Sequence, residues 1–209
     1  MSAEVVHQVE TPHRRIAFTF DDGPNPVYTP QVLEIFREVS GQATFYMIGE
    51  QMEKHPDIVK AAFAEGHEIG NHTYTHPPMT ERSTSEQRLE IERTNALIEQ
   101  LTGRAPATFR PPYFNTDSTL EQLVASYGHR SIGALNGDAR DWEQPGASHI
   151  VEVSRLHAKN GSILIFHDGY GDRSQTIEAV RTLAHELTAA GYQLVTVSKL
   201  LEDALSTAE

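Results

Sequence analysis

Two adjacent carboxylates, Asp21 and Asp22, stand where an apolar run of the chain ends. Neighbouring anions repel each other, so a metal ion, an arginine or water must compensate their charge. His72 and His76 have a His-x-x-x-His spacing, which in a helical turn places both imidazoles on one face. Two such imidazoles suit zinc, cobalt or nickel. With one carboxylate as third ligand, the set is typical of catalytic zinc, and the other carboxylate remains free to act as a base.

A stiff turn at Arg110–Tyr113 carries a second candidate group. Its two prolines fix the backbone and remove amide donors. An arginine held in this way could bind a carboxylate bidentately and lower its pKa. The alternative for an isolated motif of this kind is a surface turn with a solvated arginine.

Two further stretches combine carboxylates with an aromatic or imidazole group. Asp138 and Asp141 precede Trp142, which either fills a gap in the core or forms a stacking wall for a sugar ring. His167 and Asp168 end a very apolar run. His167 is therefore either a buried core histidine or, beside a carboxylate, a proton donor.

Alternating strand and helix patterns must position these groups. The predicted strands are Ile16–Phe20, Ala43–Ile48, His67–Gly70, Ala107–Phe109, Arg130–Leu135, Ile163–Phe166 and Gln193–Val197. The first predicted helix is Pro30–Val39, with Thr29 as its N-cap, and the second ends near Glu65. The third begins at the capping box of Ser83 and Glu86 and ends near Gly103. The remaining predicted helices are Leu120–Tyr127, Ser148–Lys159, Thr176–Ala190 and one that begins near Ser198.

About seven strand–helix units predict an α/β fold, either a parallel barrel or a doubly wound sheet. The chemically capable residues all follow strands, and in parallel α/β barrels active sites lie at the C-terminal rim of the strands. We expect one domain over residues 14–209, preceded by a loose N-terminal arm over residues 1–13.

Composition narrows the classes of partner. The formal net charge of −12 argues against nucleic acid and anionic membranes as partners. The absence of cysteine excludes disulfides and thiolate metal sites. No apolar run is long enough to span a bilayer, and the polar N-terminus lacks the apolar region of a signal peptide. The protein is therefore expected to be cytoplasmic, or extracellular or in the cell wall if a leader or anchor has been removed. The sequence leaves the oligomeric state open.

Five motifs in order resemble the polysaccharide deacetylases, carbohydrate esterase family 4, which carry the NodB homology domain. They are TFDDGP at Thr19–Pro24, HTYTH at His72–His76, RPPY at Arg110–Tyr113, DARDW at Asp138–Trp142 and ILIFHD at Ile163–Asp168. The resemblance implies a distorted (β/α) barrel that removes acetyl groups from a carbohydrate with the help of one divalent metal ion, zinc or alternatively cobalt. Peptidoglycan and chitin oligosaccharides are the implied N-acetylglucosamine substrates.

The resemblance also implies a role for each motif residue. Asp22, His72 and His76 would bind the metal, and Asp21 would be the general base, held by Arg110. The backbone N–H of Tyr113 would bind the oxyanion, and His167, tuned by Asp141, would be the general acid. Trp142 and Ile165 would shape the pocket for the acetyl group and the sugar.

Two positions depart from the family pattern. Ile165 stands where leucine is common, and Phe114 follows the RPPY motif where glycine is common. Three alternatives stay open: O-deacetylation of acetylxylan, a metal-dependent amidase acting on a non-sugar acyl group, and a sugar-binding module without catalysis.

Overall fold

A computed structural model of the protein describes residues 4–206, in which seven strands alternate with helices. The strands are β1 (Arg15–Asp21), β2 (Thr44–Met47), β3 (Glu68–Asn71), β4 (Thr108–Phe109), β5 (Arg130–Ser131), β6 (Ile163–His167) and β7 (Gln193–Leu194). The α-helices are α1 (Tyr28–Glu38), α2 (Gly49–Lys54), α3 (Pro56–Ala64), α4 (Thr84–Thr102), α5 (Ser118–Ser126), α6 (Ala147–His157), α7 (Ser174–Ala189) and α8 (Val197–Ser206). None of these helices is both long and apolar enough to cross a membrane.

The strands form one parallel sheet in the order β5-β4-β3-β2-β1-β6, and β7 pairs with the first two residues of β1. The sheet curls so that β5 and β6 approach each other, and the backbone N–H of Leu135 donates to the carbonyl of Ile163 across the gap. The architecture is a distorted α/β barrel, as predicted. Since all strands run the same way, their carboxyl ends share one rim.

Alternation along β1 separates the two sides of the sheet. Ile16, Phe18 and Phe20 pack outward into the main hydrophobic core beneath the helices. Thr19 and Asp21 point the other way, and both contact the guanidinium of Arg110. One face of β1 therefore places the Asp21 carboxylate at the rim, and its other face packs in the hydrophobic core.

The N-terminal arm is less loose than predicted. Val6 forms a bridge to Ile132, Gln8 forms one to Ser162, and Val9 is buried. The arm thus links the two edges of the sheet, β5 and β6. Residues 1–3 of the predicted arm and 207–209 of the predicted domain lie outside the described residues.

Several predicted boundaries were wrong for identifiable reasons. Thr29 is not the N-cap of α1, which begins at Tyr28, because the Thr29 hydroxyl instead donates to Asp168 at 2.5 Å. The helix predicted to end near Glu65 is two helices, α2 and α3, with Pro56 starting the second. The predicted capping box at Ser83 and Glu86 was confirmed.

Candidate active site

Eight of the ten predicted site residues line one cleft of about 660 Å³ at the carboxyl rim of the strands. They are Asp21, Asp22, His72, His76, Tyr113, Trp142, Ile165 and His167. The other two, Arg110 and Asp141, lie behind this lining and are almost completely buried. Asp138, from the same motif as Asp141, does not line the cleft.

Asp22, His72 and His76 form a possible three-ligand metal site. Their ligand atoms all lie within 4.8 Å of one another, and no other group of three or more such residues exists among those the structure describes. Asp22 Oδ1 lies 3.1 Å from His76 Nε2 and 3.5 Å from His72 Nε2. This buried oxygen nevertheless accepts no hydrogen bond of good geometry. A buried carboxylate oxygen facing two imidazole nitrogens without a proper partner fits a cation.

Local backbone geometry points both aspartates into the same site. Successive strand residues face opposite sides of a sheet, so Asp21 and Asp22 would normally diverge. Asp22, however, has a φ of 74°, in the left-handed region, and the chain turns there. The His72–His76 segment is likewise not the helical turn that its spacing suggested, because Thr73 and His76 have φ values of 66° and 62°.

Hydrogen bonds fix the histidine loop in this conformation. Asn71 Oδ1 accepts from the Thr73 N–H at 2.8 Å, and the Thr73 hydroxyl oxygen accepts from the His76 N–H at 3.1 Å. His72 Nδ1 donates to the Arg110 carbonyl at 2.7 Å. This bond leaves the lone pair of Nε2 directed at Asp22, in the tautomer that a metal ligand needs.

Charge within the site favours the ionised form of Asp22. Burial by itself would raise the pKa of Asp22, but the neighbouring imidazoles of His72 and His76, together with the charge of His167, hold this pKa well below its ordinary value. The ligand carboxylate is therefore anionic at neutral pH, as metal binding requires.

Arg110 is completely buried and pairs with Asp21, so the alternative of a solvated surface arginine was wrong. Its Nη1 donates to Asp21 Oδ1 at 2.7 Å and to the Thr19 hydroxyl at 2.7 Å. The remaining guanidinium nitrogens donate to the carbonyls of Ile132 and Gly133. These contacts hold the guanidinium in place against Asp21 Oδ1, whereas Oδ2 of this carboxylate lies 3.7 Å from His72 Nε2.

His167 and Asp141 form the second charged pair. His167 Nδ1 donates to Asp141 Oδ1 at 2.7 Å, and the His167 backbone N–H donates to Oδ2 at 2.8 Å. Thr176 donates its hydroxyl to the same Oδ2. Burial opposes the imidazolium charge, but the Asp141 carboxylate, with smaller contributions from the charges of Asp21 and Asp22, outweighs it and raises the pKa of His167 to about 9. His167 is therefore protonated at neutral pH, in the form that can donate a proton.

Asp168 is completely buried and does not line the cleft. Burial raises its pKa to about 7. Its Oδ2 accepts from Thr29, and its Oδ1 would lie 2.6 Å from a Cβ added at Gly23. A glycine is thus required where the turn after Asp22 passes over this carboxyl group.

Tyr170 and Arg173 also line the cleft, although they lie outside the five motifs and were missed by sequence reasoning. Both lie in the loop after β6, a few positions beyond His167. Arg173 is buried and donates to the carbonyls of Gly169 and Trp142, joining two loops of the rim. The rule that rim residues follow strands could have found both, had it been extended through the whole loop.

The fold and the geometry together define a class of protein. A three-ligand cation site lies beside a carboxylate fixed by arginine and a protonated histidine fixed by a carboxylate, in a cleft at the C-terminal rim of an α/β barrel. Metal-dependent hydrolases need this combination of a metal, a base and an acid.

Comparison with known proteins identifies the family within this class. The family model for polysaccharide deacetylases matches residues 8–132. The chain is 39% identical to a peptidoglycan-N-acetylglucosamine deacetylase of Bacillus cereus over 198 residues, which cover 94% of this chain and 92% of the relative. It is 36% identical to a chitooligosaccharide deacetylase of Azorhizobium caulinodans over 191 residues, which cover 86% and 90% of the two chains.

A solved structure agrees with these sequence matches. A peptidoglycan N-acetylglucosamine deacetylase in complex with 4-naphthalen-1-yl-N-oxidanyl-benzamide superposes with a TM-score of 0.88 at 29% identity. The match covers 92% of this chain and 90% of that one. The protein belongs to the polysaccharide deacetylase family, whose members are metal-dependent hydrolases acting on acetylated carbohydrates.

Proposed function

We propose that this protein removes the acetyl group from the amide nitrogen of N-acetylglucosamine units in a polymer or oligomer, of the peptidoglycan or chitin type. One observation carries the proposal: the ligand set, the Asp21–Arg110 pair and the His167–Asp141 pair converge on a single cleft. The printed activities of the relatives in Bacillus cereus and Azorhizobium caulinodans support the choice of substrate.

The residues present fit a divalent ion, and we propose zinc, with cobalt as the alternative. Asp22, His72 and His76 would hold it, a donor set of one carboxylate and two imidazoles that is typical of catalytic zinc. When bound, such an ion polarises a carbonyl oxygen and lowers the pKa of a water molecule.

Asp21 is the proposed general base. Arg110 occupies its Oδ1, so Oδ2 is the oxygen that can accept the proton of the attacking water. The buried guanidinium keeps the carboxylate oriented throughout, which removes the need for rearrangement as the proton moves.

Tyr113 and His167 are proposed to stabilise and then break down the tetrahedral species. The Tyr113 N–H has no hydrogen-bond acceptor among the described residues and lies at the cleft, so it can donate to the developing oxyanion. His167 donates its proton to the departing amine, and Asp141 stabilises the imidazolium before transfer. Trp142 and Ile165 line the same cleft and would bound the pocket for the acetyl group.

Acetate release from two substrates tests the proposal: N-acetylglucosamine oligomers and acetylxylan, each assayed after metal removal by a chelator and after zinc or cobalt is restored. We expect metal-restored release from the N-acetylglucosamine oligomers at the higher rate. Faster release from acetylxylan would replace N-deacetylation by O-deacetylation. Metal uptake without release from either would favour an amidase for a non-sugar acyl group. Sugar binding with neither metal uptake nor release would favour the binding module.

A further inference from the structure

Large exposed aromatic side chains are concentrated at the cleft. Among the described residues, all aromatic side chains of this kind line it: Tyr113, Phe114, Trp142 and Tyr170, with exposures between 41% and 69%. Exposed apolar surface that is gathered at one place marks a binding surface. Of these four side chains, only that of Trp142 has a place in the mechanism proposed above, because Tyr113 contributes its backbone N–H.

Tyr170 is held in a costly backbone conformation. Its φ is 50°, in the left-handed region that bulky residues rarely adopt, and it lies between Gly169 and Gly171. Strain of this kind concentrates at functional sites. Glycine would adopt the same conformation without strain. What Tyr170 adds over glycine is therefore its side chain, and this side chain is 48% exposed rather than packed in the core.

The ring of Tyr170 lies beside the reacting centre but not beside the proposed acid. Its centroid is 6.1 Å from that of the His76 ring, whereas the Trp142 centroid is 5.2 Å from that of His167. Tyr170 thus lies beside a proposed metal ligand, whereas Trp142 lies beside the proposed acid. A cleft of about 660 Å³ falls in the range for drug-sized ligands, which are larger than one sugar unit.

We propose that Tyr170 is a sugar-stacking residue that binds the unit adjoining the one being deacetylated. The C–H face of a sugar ring is apolar and packs on an exposed aromatic face, while the hydroxyl groups at the ring's edge stay hydrated. The contact makes the enzyme favour oligomers over the shortest substrates. This inference rests on the proposed function, because it takes an N-acetylglucosamine polymer as the substrate.

The test compares three variants with the unsubstituted, metal-loaded protein. Tyr170→Gly removes the ring and relieves the strain, and Tyr170→Phe keeps the ring. Ser40→Gly relieves strain at a φ of 52° in the loop before β2, at the opposite end of the sheet from the cleft. For each protein, kcat/KM is measured on the N-acetylglucosamine monomer, which lacks an adjoining unit, and on the tetramer. Tm is measured by calorimetry, and tetramer binding is measured by calorimetric titration.

We expect the tetramer-to-monomer ratio of kcat/KM to fall about tenfold in Tyr170→Gly, the size of one lost stacking contact. Tyr170→Phe and Ser40→Gly should keep the ratio. Both glycine variants should have a Tm at least as high as that of the unsubstituted protein, because glycine relieves the strain.

Three results would overturn the inference. They are an unchanged ratio in Tyr170→Gly, an equal loss on both substrates, and a lower Tm that reveals a structural role for the ring. If the unsubstituted protein releases no acetate, the proposed function fails separately, and the titration still tests Tyr170: weaker tetramer binding in Tyr170→Gly supports the stacking contact, and equal or absent binding overturns it.

Discussion

Asp141→Asn changes the charge beside the proposed acid while keeping the shape of the side chain. In the protein, Asp141 accepts from both the ring and the backbone of His167, and its charge raises the pKa of His167 to about 9 against the opposing effect of burial. Asparagine can still accept a hydrogen bond but carries no charge. The substitution therefore isolates the electrostatic part of the contact.

The size of the effect follows from the two pKa values. The difference between about 9 and the ordinary 6.5 corresponds to about 3 kcal/mol. Without the Asp141 charge, burial lowers the pKa of His167 and only the more distant Asp21 and Asp22 raise it, so we expect a value below about 7. At about pH 8 the protonated fraction of His167 then falls from about 0.9 to about 0.1 or less.

The same contact has a consequence for stability. Because the pKa of His167 is higher in the folded protein than the ordinary 6.5, the pair stabilises the fold fully below about pH 6.5. This contribution is lost as the pH rises through about 9.

The assay is the pH dependence of kcat/KM on N-acetylglucosamine oligomers, with Thr176→Val as the matched control. That control removes one hydrogen bond to Asp141 Oδ2 and leaves the charge in place. We expect the alkaline limb to lie near pH 9 in the unsubstituted protein and in Thr176→Val, and to move below about pH 7 in Asp141→Asn. An alkaline limb that stays near pH 9 in Asp141→Asn, or a loss of equal size at every pH, would show that the Asp141 charge does not set the pKa of His167.

Two further predictions concern the metal ligands and the buried ion pair. His76→Ala removes one of three converging ligands, so metal content measured by mass spectrometry should fall below one ion per chain. The control His185→Ala, at an exposed histidine paired with Glu38, should leave the metal content unchanged. Equal metal content in the two variants would contradict the proposed metal site. Arg110→Met leaves the Asp21 carboxylate buried without its partner. The free energy of unfolding, measured by denaturant titration, should therefore fall by about 3–5 kcal/mol. An unchanged midpoint and slope of the titration would show that the pair does not stabilise the fold.

Local signals in the sequence predicted elements well wherever the determining contacts are themselves local. Helix α4 begins at the Ser83 capping box and ends at Gly103, which has a φ of 73°. Both features depend on residues within one turn of the helix end. The sequence therefore contains all that is needed to place this helix.

Predictions failed where a distant residue decides the local structure. The strand predicted over Gln193–Val197 is only the two residues of β7. As α8 begins, the Val197 N–H donates to the Thr44 hydroxyl oxygen, and the Ser198 N–H donates to Glu68. The strand predicted over Arg130–Leu135 ends at Ser131, where the chain pairs with the N-terminal arm and then crosses towards β6. Contacts with an arm over a hundred positions away leave no local signal.

The candidate site shows the same division. The position of the motifs after strands correctly predicted that these residues gather at one cleft. The spacing of His72 and His76, however, suggested a helical turn that does not form. The left-handed backbone at Asp22, Thr73 and His76 depends on hydrogen bonds and packing around the loops. Residue types alone do not encode that geometry, which is why the division of roles between Asp21 and Asp22 needed the structure or the family resemblance.

The separation between the proton-transferring carboxylate and the metal ligands is tested most directly by measuring metal content and acetate release on the same preparation of Asp21→Asn. Asp21 is the group proposed to move protons, whereas Asp22 with His72 and His76 would hold the metal. We therefore predict one metal ion per chain together with a rate of acetate release lower by about 10²–10⁴-fold. A preparation that keeps the rate of the unsubstituted protein, or one that loses the metal along with its activity, would contradict this prediction.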